Sequence, residues 1–213
     1  MLLDVASHLD AVERSVVYLD YDGKAASEVK LSRSYDTTVD DLWDALTNGD
    51  RIPRWFLPIS GKLELGGQFQ FEGNAGGTIT ACERLSYLAV TWEYDPHVSW
   101  VEARVSDDEA DCARLTLVHT AHLSEQWDEY GAGATGVGWE MGLLGLALHI
   151  DQPEEPKLDA ATFHITPLGR ALLTGSSEAW GEASIGSGTD VDAAHAAARR
   201  TTAFYTGEVV DEG

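Results

Sequence analysis

The sequence predicts an α+β fold: an antiparallel sheet, one long helix, and a helical C-terminal third. Three observations carry this. Between residues 62 and 122, short apolar runs are separated by Gly, Pro and acidic turns with links too short for a parallel crossover. Ala134 to Ile150 is a long, nearly charge-free run of helical length. Beyond Thr166-Pro167 the chain turns Ala-rich and loses its period of two. With 213 residues and 44% apolar composition, it can bury a sizeable core as one domain with an appendage.

Taken in order, Leu2, Val5, Leu9 and Val12 recur at helical spacing and predict a short amphipathic N-terminal helix. Val16 to Tyr21 and Ser27 to Tyr35 read as strands of a hairpin around Asp22-Gly23. The period then changes: Val39, Leu42, Trp43 and Leu46 share one helical face, Thr38 caps it with Asp41 three residues on, and Asn48-Gly49 ends it. A Pro-punctuated segment follows with Trp55-Phe56. Strands are then expected at Lys62–Leu65, Gln68–Phe71, Thr78–Arg84, Leu88–Tyr94, Val98–Val105 and Arg114–His122. Alternation makes Leu65, Phe69 and Phe71 one inward set, Val90, Trp92 and Tyr94 a second, and Leu115, Leu117 and His119 a third.

In the long helix Gly138, Gly142 and Gly145 form one stripe, and Trp139, Leu143, Leu146 and Ile150 a neighbouring one. Each interior Gly costs up to ~1 kcal/mol relative to Ala, so the stripe implies either close packing or room for a ligand. Asp151 to Asp159, with Pro153 and Pro156, reads as a linker. Thr166-Pro167 starts one further helix, and Thr189-x-x-Asp192 opens another through Ala193–Phe204.

Charge and cysteine content exclude several classes. Lys and Arg total 14 against 36 Asp and Glu, a formal charge of −22, which repels phosphate backbones and anionic headgroups. Nucleic-acid and membrane partners are therefore not expected. Cys82 and Cys112 match neither a disulfide framework nor a zinc spacing and are expected as buried free thiols. The N-terminus MLLDVASHLDAVER lacks a basic leader and an apolar core, and no run reaches the ~18 apolar residues of a membrane span, so a cytoplasmic location is expected.

Six pieces in one order now carry a resemblance: Val39-x-x-Leu42-Trp43-x-x-Leu46-Thr47, Trp55-Phe56, Gly66-Gly67-x-Phe69-x-Phe71, Thr91-Trp92-Glu93, Leu115-Thr116-Leu117-Val118-His119 and Gly138-Trp139. Together they resemble bacterial homologues of the activator of the heat-shock-protein-90 ATPase, within the START-like (SRPBCC) superfamily. The match covers roughly Leu31 to Ile150. The chain departs from the family pattern at Arg84-Leu85, where a proline pair often follows the glutamate, and at Ala113, where a threonine often opens the last strand.

The resemblance implies a helix-grip fold (START-like, Bet v-like), with a curved sheet gripping the long helix around a cavity that in relatives holds apolar small molecules. It sets the expected domain at residues 1–150, with 151–213 a linker and helical extension like one seen in some actinobacterial-type members. Fold-level likeness implies a class of site and not a reaction.

The residues offer little catalytic chemistry. There is no HExxH, CxxC or Cys/His cluster of ligand spacing, and no GxSxG elbow, so no catalytic residue, metal or cofactor is expected. Ser60 and Ser99 have no base assigned by spacing. His119 and His122 fall on opposite faces of a strand and cannot share a metal. Gly73-Asn74-Ala75-Gly76-Gly77 reads as a hairpin turn, because it lacks the strand-to-helix context of a phosphate loop.

His119 is the exception, since a polar group on an inward face needs a partner or a ligand. A backbone carbonyl or Glu140 would satisfy it structurally. Otherwise it serves as a ligand hydrogen-bonder or a general base, with Trp55, Phe69, Phe71, Trp92, Leu117 and Trp139 lining an apolar pocket.

Three functions follow. The first is a non-catalytic binding module for an apolar small molecule held by His119 and Glu140. The second is a cyclase-, aromatase- or hydrolase-type enzyme using the same pocket. The third is an interaction protein, either a cochaperone or a homodimer built through the added helices. The cochaperone version is weakened because nothing before Val39 can replace the separate N-terminal domain of the eukaryotic activators.

Overall fold

The computed structural model describes residues 4–94 and 96–208. Leu2, placed above on the N-terminal helix, lies outside them. Eight strands form one sheet in the order β1-β2-β8-β7-β6-β5-β4-β3. These are β1 (Glu13–Tyr21), β2 (Lys24–Tyr35), β3 (Ile59–Gly61), β4 (Gln68–Phe71), β5 (Gly76–Glu83), β6 (Tyr87–Tyr94), β7 (His97–Asp107) and β8 (Ala113–His122). The helices are α1 (Val5–Asp10), α2 (Val39–Thr47), α3 (Glu125–Tyr130), α4 (Gly133–Asp151), α5 (Ala160–Phe163), α6 (Pro167–Gly186) and α7 (Val191–Thr206). This is the α+β helix-grip architecture with added C-terminal helices.

The chain forms two compact units. The first holds the residues up to Leu31, His122–Met141 and those from Leu158 on; the second holds Ser32–Ala121 and Gly142–Lys157.

In the first unit, Asp22 and Gly23 both adopt positive φ (51° and 75°), the mirror-image turn whose twist suits a two-residue hairpin between β1 and β2. Asp4 caps α1 by accepting from the Ser7 amide. Thr166 caps α6 through the Gly169 amide, with Pro167 in the first turn. Helix α7 starts one residue later than the Thr189-x-x-Asp192 pattern predicts. Asp190 accepts from the Ala193 amide, while the Thr189 hydroxyl bonds the Tyr18 phenol at 3.0 Å. The fully buried Trp180 and Leu172 centre this unit's core.

In the second unit, the strands from β3 to β8 pair antiparallel in sequence. Thr38 accepts from the Asp41 amide at the start of α2, and its apolar face buries Leu42, Trp43 and Ala45. The glycine-rich stretch after Phe71 is the β4–β5 hairpin, closed by a bond from the Phe71 amide to the Ala75 carbonyl at 3.0 Å.

Two strand expectations are corrected here. Lys62–Leu65 is not a strand: the Gly67 amide bonds the Glu64 carbonyl at 2.8 Å, so the chain turns before β4 and leaves Leu65 65% exposed. Tyr94, assigned inward with Val90 and Trp92, is the last residue of β6 and is 59% exposed. Neither cysteine forms a disulfide among the described residues, but neither is buried as expected: Cys82 is exposed and Cys112 half-buried.

The glycines of α4 are accounted for by close packing in both units. A Cβ at Gly145 would lie 2.5 Å from the Trp55 carbonyl oxygen, and one at Gly142 3.4 Å from the Phe56 ring. In the first unit a Cβ at Gly136 would overlap the Trp180 indole. A backbone or ring resting on the helix repays the propensity lost at each glycine.

Candidate functional site

The inward face of β6, β7 and β8 in the second unit assembles the site. Register places Trp92 opposite Ser99, Val90 opposite Val101, and Val101 opposite His119. Ser99, Val101, His119 and Trp92 therefore share one face, with Ser99 the diagonal neighbour of His119. His119 Nε2 lies 2.8 Å from Ser99 Oγ, and that hydroxyl reaches the Trp92 carbonyl at 3.1 Å. With the hydroxyl proton donated to the carbonyl, His119 Nε2–H donates to Ser99 Oγ and Nδ1 is an acceptor.

His119 is 8% exposed, and burial pushes its pKa down to about 4. The desolvated imidazole is neutral around pH 7, a hydrogen-bonding group and a weak base.

Around it the aromatic side chains form a continuous set. Trp92 meets the His119 ring edge-on with centroids 6.4 Å apart, and Phe71 lies 5.6 Å from Trp92. Phe69 packs 5.5 Å from Phe71, and Phe56 connects Phe71 at 5.1 Å to Trp55 at 5.4 Å. Ile52 and Ile79 are buried in the same cluster. Leu117, two residues before His119 on β8, is 6% exposed. The Trp55 indole N–H donates to the Ala45 carbonyl at 2.9 Å, which fixes that ring against α2.

The segment carrying Trp55-Phe56 is tied at several points. Lys157 Nζ donates to the Phe56 carbonyl at 2.6 Å, and Arg54 bonds the Pro153 carbonyl. Arg51 donates from Nε to His149 Nε2 at 3.1 Å and from Nη1 to Asp41 at 2.8 Å. The Arg51 bond holds the Asp41 carboxyl below the usual carboxylate range, while burial and the Arg51 charge hold His149 below the usual imidazole value. An open cleft of about 810 Å3 in this unit is lined by Phe69, Gln70, Tyr94, His97 and Val98 among others.

The predicted site residues thus divide. Trp55, Phe69, Phe71, Trp92, Leu117 and His119 all belong to the second unit, where five of the six join one aromatic chain. Trp139 and Glu140 belong to the first unit, where Glu140, 1% exposed, is gripped by Arg14: Nε to Oε1 at 2.6 Å and Nη2 to Oε2 at 2.8 Å. His119 has as one partner Ser99, which spacing alone left without a base. Phe56 and Ile79 were also missed. Only strand register could have found Ser99, because its position beside His119 is diagonal across two strands.

Among the described residues no group of three or more His, Cys, Asp or Glu side chains can hold a metal ion, and no helix is long and apolar enough to cross a membrane.

This arrangement, an antiparallel sheet with an aromatic inner face and a glycine-lined long helix, defines a START-like protein of the helix-grip class. The family model for Activator of Hsp90 ATPase homolog 1-like protein matches residues 36–150, and the chain belongs to that family. CalU16 from Micromonospora echinospora is 32% identical in two solved structures. Its crystal structure aligns with a TM-score of 0.64 over 81% of this chain and 98% of CalU16. The solution structure aligns with 0.68 over 83% and 97%. An HSP90 activator from Plasmodium falciparum shares the fold at 18% identity, with a TM-score of 0.50 over 62% of this chain and 99% of that one. No curated protein sequence matches the chain.

Proposed function

We propose that this protein is a non-catalytic binding module for an apolar small molecule, held in the second unit against Phe69, Phe71, Trp92 and Leu117 with His119 as the polar anchor. The observation that carries this reading is the neutral imidazole of His119, set edge-on to Trp92 and backed by Ser99 within an otherwise apolar wall. Sites for small molecules have this composition, mostly apolar with a few placed polar groups. Catalysis by the same pair is disfavoured. A group whose pKa lies near 4 is a poor base at neutral pH, and the Ser99 proton is directed at a carbonyl and not at the imidazole. In this reading residues 1–150 are the binding domain, 151–213 are an extension, and the protein works in the cytoplasm.

Native mass spectrometry of protein from its own host tests this. A discrete small-molecule adduct that is lost on denaturation, and absent from a folded Trp92→Ala variant, is expected. An apo mass from freshly isolated protein would overturn the reading.

A second reading, contact with a protein partner or a second copy, is favoured by one observation. Ile165, Leu168, Val191 and Phe204 are 58%, 41%, 49% and 59% exposed on the C-terminal helical segment. Sedimentation of the full chain distinguishes it, a monomer at all concentrations excluding the homodimer.

A further inference from the structure

The aromatic wall of the second unit is covered. Phe69 and Phe71 are 7% and 8% exposed, and Phe56 and Leu57 pack against the buried cluster that they form with Ile52 and Ile79. A close-packed interior holds no spare volume the size of a ring, so an apolar ligand reaches these residues only if a group covering them withdraws.

The coverings differ in what holds them. Strands β4 to β8 are joined by ladder bonds, and α2 and α4 by their own helical bonds. Residues 53–57 belong to a short 3-10 turn and the irregular chain after it. At one end Ile52 is buried in the cluster; at the other the Pro58 carbonyl accepts from the Glu72 amide at 2.9 Å. Between these anchors the Arg54, Trp55 and Phe56 amides bond the Arg51 and Ile52 carbonyls, within the segment's own turn.

Side chains tie this segment to the rest of the unit. Lys157 Nζ bonds the Pro53 and Phe56 carbonyls at 3.0 and 2.6 Å, and Arg54 bonds the Pro153 carbonyl. The Trp55 indole N–H donates to the Ala45 carbonyl at 2.9 Å. Pro153 and Lys157 lie beyond the end of α4, and they and Arg54 are exposed, so water takes over their bonds at little net cost. Phe56 is the residue of this segment that enters the wall. Its ring meets Phe71 edge to face at 5.1 Å and 90°, and a Cβ at Gly142 of α4 would stand 3.4 Å from it.

We propose that Phe56 is an internal plug: residues 53–57 form a strap that swings out to admit the apolar ligand, whose ring replaces the Phe56 ring on Phe71. This plug presupposes the small-molecule site proposed above and adds how that site closes. Ligand and plug compete, so the apparent affinity is lowered by the fraction of molecules in which the strap is open. Lys157 sets that fraction, since its two bonds hold the strap shut. The competition also selects the ligand, which must present a flat apolar group at Phe71 in place of the Phe56 ring.

The test uses the full chain with 1-naphthol as a neutral two-ring probe, and the Trp92 indole N–H resonance in 1H–15N correlation spectra as the reporter of the site. Phe56→Ala is expected to bind 1-naphthol at least about tenfold more tightly than the unsubstituted chain, the factor lost when the open state is populated to about 10% or less. Lys157→Met keeps the plug and loosens the clasp, so it should shift affinity in the same direction by a smaller factor. A second readout needs no ligand. The Phe56 amide should exchange its hydrogen at least about tenfold faster than the ladder amides of β7 and β8, and faster again in Lys157→Met, because the strap opens without unfolding the sheet.

Equal or weaker binding by folded Phe56→Ala would overturn the plug and make Phe56 part of the wall, leaving the binding function standing. A Phe56 amide that exchanges only as slowly as the ladder amides would overturn it as well, whether or not any variant folds. No Trp92 response in either the unsubstituted chain or folded Phe56→Ala would overturn the site itself, and the plug with it.

Discussion

Acidification should weaken the protein through His119 by an amount that can be isolated. Its folded pKa is depressed from 6.5 to about 4 by burial. The unfolded chain therefore takes up a proton at a pH where the folded chain does not. The stability linked to this residue is fully present above about pH 6.5, falls as pH drops toward 4, and is gone below it. At ~1.4 kcal/mol per pH unit the loss amounts to about 3 kcal/mol, a large part of the stability of a domain of this size.

Urea denaturation at a series of pH values between 7 and 4 measures it, with His119→Gln as reference. Glutamine keeps a hydrogen-bonding group near Ser99 but cannot titrate, so its curve should lack this slope even if the variant is ~1–3 kcal/mol less stable at pH 7. His149 is held low as well and contributes in the same direction in both proteins, so it cancels in the difference. Asp41, also held low, loses its contribution as pH falls through its own depressed value, outside the window compared. Parallel curves for the two proteins would refute a buried neutral imidazole.

Two further substitutions probe packing in each unit. Glu140→Gln leaves the Arg14 guanidinium, 10% exposed, without its charge partner, and should cost about 3–5 kcal/mol in chemical denaturation; a loss below ~1 kcal/mol would mean the pair is solvated. Gly145→Ala drives a methyl to 2.5 Å from the Trp55 carbonyl, so despite alanine's better helix propensity a loss of about 1–3 kcal/mol is expected by thermal unfolding, and a gain would show that the helix and the Trp55 segment are not in close contact.

Local chemistry by itself determined much of this protein. Asp22-Gly23 specifies a mirror-image turn, Thr38 and Thr166 specify helix starts, and the alternation of Leu115, Leu117 and His119 specifies an inward face. Each depends only on neighbours within a few residues, so sequence order suffices to read it. The ordered motifs from Val39 to Trp139 extended that reading to the family and its fold.

The tertiary structure alone decided which distant groups meet. Ser99 became the partner of His119 because the β6–β7 and β7–β8 registers set them diagonally adjacent, a relation that no spacing within one strand encodes. Glu140 went to Arg14, 126 residues away. Leu65 turned outward because the Gly66-Gly67 corner reverses the chain before the alternation that suggested an inward face can apply. The glycine stripe stayed ambiguous in sequence for the same reason: whether a missing side chain means contact or space depends on what lies opposite. Here Trp55 lies opposite Gly145, Phe56 opposite Gly142 and the Tyr205 phenol opposite Gly138, while the small residues of α6 and α7 leave a cleft.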